Sequence, residues 1–143
     1  MIELSLPWPP SGNSYWRRAK GRVLISREGR AYQRAVKEEV LVQRVPAITD
    51  SRRLAVEILA FPPDRRRRDL DNLQKALLDA VESAGAIPDD EQIDDLRICR
   101  MSQEKPGRVL VTIKPLDMEP GREPQATKAP ATRAKRNSEG MGQ

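Results

Sequence analysis

The feature that most constrains the fold is an apolar run, Leu54–Phe61, which is interrupted only by Glu57. Such a run predicts a strand in the middle of a sheet, because both of its faces must be buried. Pro62 and Pro63 then end the strand, since proline lacks the N–H that a strand ladder requires. Apolar residues recur at helical spacing over the next segment, and Gly85 follows them as a predicted C-cap. These helical apolar residues are Leu70, Leu73, Leu77, Val81 and Ala84.

Shorter patterns in the first half predict two more strands and a second helix. Apolar and polar residues alternate over residues 2–6, which is typical of a half-buried strand, and residues 23–25 form a short apolar run. Residues 7–13 are rich in proline and predict a stiff loop that cannot be helical. A helix with Ser26 as its N-cap is predicted up to about residue 45.

The second half adds a predicted hairpin and a tail. Residues 96–101 and 109–113 are predicted as two strands joined through a turn at residues 104–107. From residue 116 onward the chain has three prolines and no aromatic residue, so residues 116–143 are expected to form a disordered basic tail. The folded domain is therefore predicted to be residues 1–115. It is expected to be an α+β fold, with a small mixed β-sheet and two main helices in the order of about βαβαββ.

Two gaps in the composition exclude whole classes of site. The chain has no histidine and one cysteine, Cys99. This excludes Ser-His-Asp and Cys-His catalytic groups, histidine-containing metal sites, an all-thiolate zinc site and a disulfide within the chain. A metal held by side chains must therefore sit on oxygen ligands, which suit Mg²⁺, Mn²⁺ or Ca²⁺. Cys99 alternates within a predicted strand, and we expect it to be buried as a small apolar residue.

The overall charge favours an anionic partner but does not require one. Lys and Arg number 26 against 21 Asp and Glu, which gives a net charge of +5 and a pI near 9.7. This balance is typical of proteins that bind nucleic acid or an anionic membrane face, although many soluble proteins carry such a charge and bind no polyanion. No apolar stretch approaches the ~20 residues of a membrane span, and the first residues lack the pattern of a secretory signal. A cytoplasmic protein without membrane contact is therefore expected.

The strongest candidate for a catalytic site follows the central strand. Four arginines, residues 65–68, precede Asp69, Asp71 and Lys75. Side chains two apart on a helix point away from each other, but Asp69 and Asp71 can converge if Asp69 lies just outside the helix N-terminus. Lys75 lies one turn after Asp71, on the same face. A third carboxylate is available from residues 89–90, in the loop at the far end of this helix.

These groups support a catalytic interpretation and a structural one. Carboxylates that hold a divalent cation can activate a water and stabilise charge at phosphorus, and the arginines would attract a phosphate backbone. Alternatively, Asp69 caps the helix, Asp71 complements the helix dipole and Lys75 pairs with Asp71. The acidic loop at residues 89–91 would then be a solvated turn, and the arginines a flexible exposed run. Spacing alone leaves both interpretations open.

A second group combines aromatic and basic residues near the N-terminus. Three of the five aromatic residues, Trp8, Tyr15 and Trp16, lie within nine residues, and Arg17 and Arg18 follow. Aromatic rings beside arginines can stack on exposed bases while the cations hold phosphate. We expect Trp8 to fill the edge of the core after the first strand, and the other four residues to contact DNA.

Together, these motifs resemble the RusA family of Holliday-junction resolvases, which are phage-derived endonucleases. The resemblance covers most of residues 4–113, and its long central motif is the most specific part. The matching segments are Leu6-Pro7-Trp8-Pro9-Pro10-Ser11 with Asn13 and Tyr15, Ser26 with Glu28-Gly29 and Tyr32, Pro63-Asp64-Arg65-Arg66-Arg67-Arg68-Asp69-Leu70-Asp71-Asn72-Leu73-Gln74-Lys75-Ala76, and Asp89-Asp90. The chain departs from the family mainly in its longer C-terminal tail.

The resemblance implies a homodimeric α+β nuclease that makes paired, symmetrical nicks in four-way DNA junctions during recombination and repair, and that needs Mg²⁺ or Mn²⁺. It implies that Asp69, Asp71 and Asp90 bind the metal and are essential for cleavage, and that Lys75 is catalytic. Positions near the implied site, together with the aromatic and basic group, are expected to bind the branched DNA. These expected DNA-binding residues are Arg65, Arg66, Arg67, Arg68, Asn72, Tyr15, Trp16, Arg17 and Arg18.

Two functions of other classes compete with this one. A non-catalytic basic DNA-binding module would use the carboxylates as caps and surface charges, and would bind DNA in a salt-dependent manner without metal-dependent turnover. A transferase could use Asp-x-Asp to hold the metal of a nucleotide-sugar, but the arginine tract and a domain of only ~115 residues argue against it.

Overall fold

A computed structural model describes residues 1–116, so the predicted tail 116–143 lies outside the described residues except for its first position. The strands are β1 (Ile2–Pro7), β2 (Trp16–Ala19), β3 (Arg22–Ile25), β4 (Leu54–Phe61), β5 (Ile93–Arg100) and β6 (Arg108–Pro115). The helices are α1 (Gly12–Tyr15), α2 (Arg27–Val42) and α3 (Leu70–Ser83), and a 3₁₀ turn covers Asp90–Gln92. Within the described residues, no helix has both the length and the apolar character that a membrane crossing requires.

The expected mixed α+β architecture is confirmed. Four strands form one sheet in the order β1-β6-β4-β5, and β2 pairs with β3 in a separate hairpin. Strand β4 pairs in parallel with β5 and antiparallel with β6, and β6 pairs antiparallel with β1. The apolar run Leu54–Phe61 therefore occupies an inner position of the sheet, as its composition predicts.

Helices α2 and α3 pack against the sheet and against each other, and the core lies between them and the sheet. Strands β1 and β6 each bury alternate side chains, because successive strand residues point to opposite faces. The helices contribute apolar stripes at helical spacing. The buried strand residues include Ile2, Leu4, Leu6, Val109, Val111 and Ile113, and the buried helix residues include Tyr32, Val36, Val40, Leu73, Leu77 and Val81.

The segment β4–α3–β5 is a crossover between parallel strands, and it determines where each end of α3 lies relative to the sheet. Leu54 pairs with Ile93, so the parallel strands β4 and β5 begin at the same end of the sheet. A helix that joins two parallel strands must run back along them. Helix α3 therefore begins at the end of the sheet where β4 finishes, and it ends where β5 starts.

The predicted hairpin between residues 96–101 and 109–113 is wrong, because β4 lies between β5 and β6. The local turn is present, since the N–H of Gly107 donates to the carbonyl of Glu104 at 2.6 Å. However, the connection crosses the end of β4, where the N–H of Met101 donates to Ala60. The crossover through α3 places β5 on one edge of β4, so β6 takes the other edge.

The N-terminal predictions hold except at their boundaries. Ser26 caps α2, and its hydroxyl accepts from the N–H of Gly29 at 3.0 Å, but the helix ends at Val42 and not near residue 45. The predicted loop 7–13 is wrong at its end, because Ser11 caps the one-turn helix α1, which contains the last two of these residues. The expected strand at residues 23–25 is confirmed, but its partner β2 was not predicted.

The C-cap of α3 is Ala84 and not Gly85, which the sequence predicted. Gly85 follows the cap with a φ of +83°.

Candidate active site

Asp69 immediately precedes helix α3, and its carboxylate does not cap the helix. Asp69 occupies the N-cap position with extended backbone angles, and its side chain makes no capping hydrogen bond. Asp71 lies in the first turn, where its charge complements the positive end of the helix dipole. Asp69, Asp71 and Lys75 are all exposed. Their charged groups are therefore available to a ligand at this end of α3.

The arginine segment before α3 is organised by Asp64. The guanidinium of Arg68 donates to both carboxylate oxygens of Asp64, at 2.6 and 3.1 Å, and it lies 5.6 Å from the centre of the Trp8 ring. The side-chain hydrogen bonds from Arg68, followed by the backbone N–H of Arg66, lower the pKa of the Asp64 carboxyl to about 2. Arg68 is thus held in the structure, whereas residues 65–67 are exposed.

Two adjoining cavities surround this arginine segment. The larger has a volume of about 460 Å³ and extends from the proline loop after β1 to Asp69 and Asn72. The second, of about 350 Å³, lies on the arginine side. Trp8, Arg68 and Asp69 line both cavities. Trp8 also packs against the core, as predicted. The start of α3 therefore offers a basic groove with an aromatic wall and the carboxylate of Asp69 on its lining.

The other end of α3 carries a group of acids. Glu82, Asp89 and Asp90 each place one carboxylate oxygen so that the three lie within 4.8 Å of one another. Partial burial of the carboxyl raises the pKa of Asp90, and the negative charges of Asp89 and Asp79 raise it further. Burial followed by the charges of Asp90 and Asp89 also raises the pKa of Glu82. The local charge is therefore crowded, and a cation would relieve the repulsion.

In a single chain, the structure does not bring Asp69 and Asp71 together with Asp90. Glu82, which is close to Asp90, lies eleven positions after Asp71 in α3, which corresponds to about 16 Å along the helix axis. Two oxygens on one Mg²⁺ lie within about 4 Å of each other. Carboxylate side chains cannot close this gap, so one copy of the chain does not by itself bring Asp69, Asp71 and Asp90 onto one ion. That the three residues act together as metal ligands stays a prediction.

Tyr15 lies in the core, so the expectation that it contacts DNA is wrong. The residue has no exposed surface. Its hydroxyl donates to Oδ2 of Asp79 at 2.5 Å and accepts from Nε2 of Gln33 at 2.9 Å. Burial, followed by the bond to Asp79, raises the pKa of the Tyr15 hydroxyl. The residue thus ties α1 to α2 and α3, and its ring has no free face for a base.

The remaining aromatic and basic residues lie on the β2–β3 hairpin. Trp16 is half-buried with its ring edge-on to Tyr15, at a centroid distance of 4.4 Å, whereas Arg17 and Arg18 are exposed. The two-residue turn at Lys20-Gly21 has positive φ at both positions, as a type I′ hairpin turn requires. Arg17 and Arg18 therefore remain accessible to a polyanion on a two-stranded projection.

Sequence reasoning missed several charged residues near these features. Asp79 and Glu82, both half-buried, lie on the same side of α3 as Asp71 and Lys75, and their spacing of eight and eleven positions after Asp71 is the signal that would have found them. The hairpin turn at Lys20-Gly21 offered only its glycine as a signal in the sequence. Cys99, expected to be buried, is half-buried on β5.

The family profile and the relatives that this chain matches carry the same name. The family profile described as "Endodeoxyribonuclease RusA" matches residues 7–114. A protein of Enterobacteria phage HK97 named "Crossover junction endodeoxyribonuclease rusA" is 42% identical over 112 residues, which cover 78% of this chain and 92% of the phage protein. The protein of Escherichia coli (strain K12) with the same name is 44% identical over 110 residues, which cover 77% of this chain and 91% of that protein. The matched residues include both ends of α3.

Proposed function

The chain belongs to the RusA family of endodeoxyribonucleases, and on this premise we propose that it is a Holliday-junction resolvase. It is an endonuclease that makes paired, symmetrical nicks in four-way DNA junctions during recombination and repair. The observation that carries this function is the start of α3, where the carboxylate of Asp69 makes no capping hydrogen bond and lines a basic groove of about 460 Å³, with Asp71 in the first turn of the helix. The proposed location of the enzyme is the cytoplasm.

The basic groove binds the DNA backbone. The exposed arginines at residues 65–67 contact phosphates, and Arg68 shapes the groove because Asp64 and Trp8 hold it in place. Asn72 lies on the groove wall and offers donors and an acceptor to the same strand. Arg17 and Arg18, with Trp16 behind them, contact a second segment of the branched DNA. A basic surface in two separate parts suits a junction better than a single linear duplex.

The catalytic residues are Asp69, Asp71, Asp90 and Lys75. These three carboxylates are the proposed ligands of Mg²⁺ or Mn²⁺ in the assembled enzyme, and the ion would supply an activated water and stabilise negative charge at phosphorus. Lys75 lies one helical turn from Asp71 and places an ammonium group beside the phosphate. The enzyme is a homodimer, because two symmetrical cuts require two equivalent sites related by a two-fold axis.

A synthetic four-way junction tests this function. In Mg²⁺ we expect paired nicks that convert the junction to nicked duplexes, and in EDTA we expect binding without cleavage. A linear duplex of the same sequence is the control and should be cut far more slowly.

The net charge of +5 and the exposed arginines favour a second candidate, a non-catalytic DNA-binding module. Salt-dependent binding of the junction without cleavage in Mg²⁺ or Mn²⁺ would establish that alternative.

A further inference from the structure

The turn that carries Asp90 is too short to hold its own position. It is the 3₁₀ turn Asp90–Gln92, and the Asp89 carboxylate caps it by accepting from the N–H of Glu91 at 2.9 Å. A single 3₁₀ turn has few hydrogen bonds, and their geometry is poorer than in an α-helix. Contacts from another part of the chain must therefore fix the direction in which Asp90 points.

Arg53, the last residue before β4, supplies such contacts through its guanidinium. Nη2 donates to the carbonyl oxygen of Glu91 at 2.7 Å, and Nη1 donates to the Glu91 carboxylate at 3.2 Å. Nε and Nη2 also donate to the two carboxylate oxygens of Asp94, at 2.9 and 2.5 Å. One rigid, planar group thus binds both the turn and the start of the strand that follows it.

Strand β5 is irregular at the point where Arg53 binds it. The pairing of β4 with β5 shifts between Leu54 and Ala55, because Asp94 is an extra residue in β5 at this point. A bulge of this kind bends the strand and re-aims the residues beside it. The bonds from Arg53 to Asp94 therefore fix the angle at which the turn joins β5.

Gln92 ties the turn to the same loop before β4. It is the one polar residue that is buried among those that the structure describes. Its side-chain amide donates to the carbonyl oxygens of Asp50 and Arg52, at 2.8 and 2.9 Å. The loop is in turn held to the end of β6, since the carbonyl of Arg53 accepts from the N–H of Leu116 at 2.9 Å. Residues 50–53 therefore form a fixed base for the turn.

Arg53 also offsets part of the negative charge around Asp90. The acids in or beside the turn are Glu82, Asp89, Asp90, Glu91 and Asp94. Within the part of the chain that the structure describes, Arg53 is the one cation that forms an ion pair with any of them. Its partners are Glu91 and Asp94, so it reduces the repulsion beside Asp90 without taking up the Asp90 carboxylate.

We propose that Arg53 is a positioning residue, which sets the place of the Asp90 carboxylate by holding the 3₁₀ turn. This inference rests on the proposed function, which assigns Asp90 to the catalytic residues. Arg53 acts through the backbone of Glu91 and through the bulge at Asp94, and it has no contact with the reacting phosphate. Loss of a group that orients a metal-ligating side chain typically costs 10- to 100-fold in activity or metal affinity.

Arg53→Ala tests the proposal, with Arg52→Ala as its matched control. Arg52 lies in the same loop, carries the same charge, and forms its ion pair with Asp50. Single-turnover cleavage of a prebound junction in saturating Mg²⁺ is compared with junction affinity in EDTA. We expect Arg53→Ala to cut about 10- to 100-fold more slowly at unchanged affinity, and Arg52→Ala to behave as wild type.

Three outcomes of this assay would overturn the proposal. Normal cleavage by Arg53→Ala would show that the turn needs no support from Arg53. An equal loss in Arg52→Ala would show that the loss follows from charge in this loop. A fall in affinity as large as the fall in rate would assign Arg53 to DNA binding.

Arg53→Lys separates geometry from charge. Lysine keeps the positive charge, but its single ammonium cannot bind the Glu91 carbonyl and both Asp94 oxygens together. We expect a melting temperature close to that of wild type and cleavage that is still about 10-fold slower. Full cleavage by Arg53→Lys would refute the positioning role, and this variant decides the question if Arg53→Ala does not fold.

Hydrogen exchange gives a readout that needs neither metal nor DNA. Amide exchange is followed by mass spectrometry in the wild type and both alanine variants. We expect exchange at residues 89–94 to be about 10-fold faster in Arg53→Ala, and exchange at residues 73–81 of α3 to be unchanged. Arg52→Ala should match the wild type in both segments. Wild-type protein that does not cut the junction would refute the proposed function, whereas normal cleavage and exchange in Arg53→Ala would refute only the role of Arg53.

Discussion

At the scale of single residues, an aspartate at a helix N-terminus can either cap the helix or leave its carboxylate available to a ligand, and Asp69 does the second. A capping aspartate accepts a hydrogen bond from an N–H of the first turn, and the Asp69 carboxylate accepts none. Its negative charge therefore lies beside exposed arginines without a structural task inside the helix. This favours the catalytic interpretation of Asp69 over the structural one that its sequence position also allowed.

Asp71→Asn is expected to reduce junction cleavage by more than about 100-fold, a typical cost of removing a group that acts on the transition state. Binding of the junction should be retained or improved, because the substitution removes a negative charge that repels phosphate. Cleavage in Mg²⁺ and gel shifts in EDTA measure the two effects. Glu38→Gln, on the exposed side of α2, is the control and should behave as wild type. Normal cleavage by the Asp71→Asn variant would remove Asp71 from the site.

Tyr15→Phe is expected to lower stability without a direct effect on DNA binding. The substitution removes the bond to Asp79 and leaves a partly buried carboxylate with one donor fewer, at a cost of about 1–3 kcal/mol. Tyr32→Phe is the comparison, since it removes a bond to the neutral carbonyl of Pro7 and should cost less. Thermal unfolding and junction affinity below the transition check this. A loss of affinity at unchanged stability would return Tyr15 to the DNA interface.

Asp90→Asn and Asp94→Asn are expected to change stability in opposite directions at neutral pH. Partial burial and nearby acids raise the pKa of Asp90 in the folded chain, so its ionisation opposes folding, and the neutral variant should gain up to about 1 kcal/mol. Arg53 lowers the pKa of Asp94, so Asp94→Asn should lose stability. The gain from Asp90→Asn should vanish as the pH falls through the pKa of Asp90. Thermal melts over a pH series measure both, and a destabilised Asp90→Asn variant would contradict the crowding of charge.

At the scale of secondary-structure elements, the sequence predicts what is periodic and long. Strand β4 and helix α3 have strong patterns and clear ends, and the structure confirms both. Strand β2 has four residues of which two are arginines, so it carries no apolar alternation. The pairing of β5 with β6 was predicted because they are neighbours in sequence. Which strand lies beside β6 is decided by the crossover through α3, and no local pattern records that choice.

Gly29→Ala is expected to disrupt the junction between α1 and α2. A glycine in a helix is ordinarily a weak position, but a Cβ at Gly29 would collide with the carbonyl oxygen of Tyr15 and with the side chain of Ile25. The neighbouring atoms belong largely to backbone, so the substitution should cost more than about 2 kcal/mol. Gly21→Ala is the control, because it meets open space and should cost about 1 kcal/mol through its positive φ alone. Urea unfolding compares the two variants, and equal losses would argue against the close approach.

At the scale of the whole molecule, the site could be predicted only in parts. The residues at each end of α3 are visible in the motif, and the far position of Asp89 and Asp90 follows from helix length. The length of α3 also keeps Asp71 and Asp90 apart in one chain. A sequence motif does not show this distance. The motif therefore predicts the residues at both ends of α3 but not the distance between them.

Removal of residues 117–143 is expected to leave the nuclease intact. The family profile ends at residue 114, and the phage HK97 protein is matched over 92% of its own length by 112 residues. Leu116 is kept, because its N–H donates to the carbonyl of Arg53 at 2.9 Å. Five basic and four acidic side chains lie beyond residue 116, so the net charge falls only from +5 to +4.

The shortened chain should therefore match the full chain in melting temperature, and its junction affinity and cleavage rate should stay within about twofold over a salt series. Variants that end at residue 116 and at residue 143 are compared in the same assay. A fall in affinity that is largest at low salt and shrinks as the salt concentration rises would assign DNA contacts to the removed segment. Loss of cleavage at unchanged affinity would instead show that the segment supports the paired active sites.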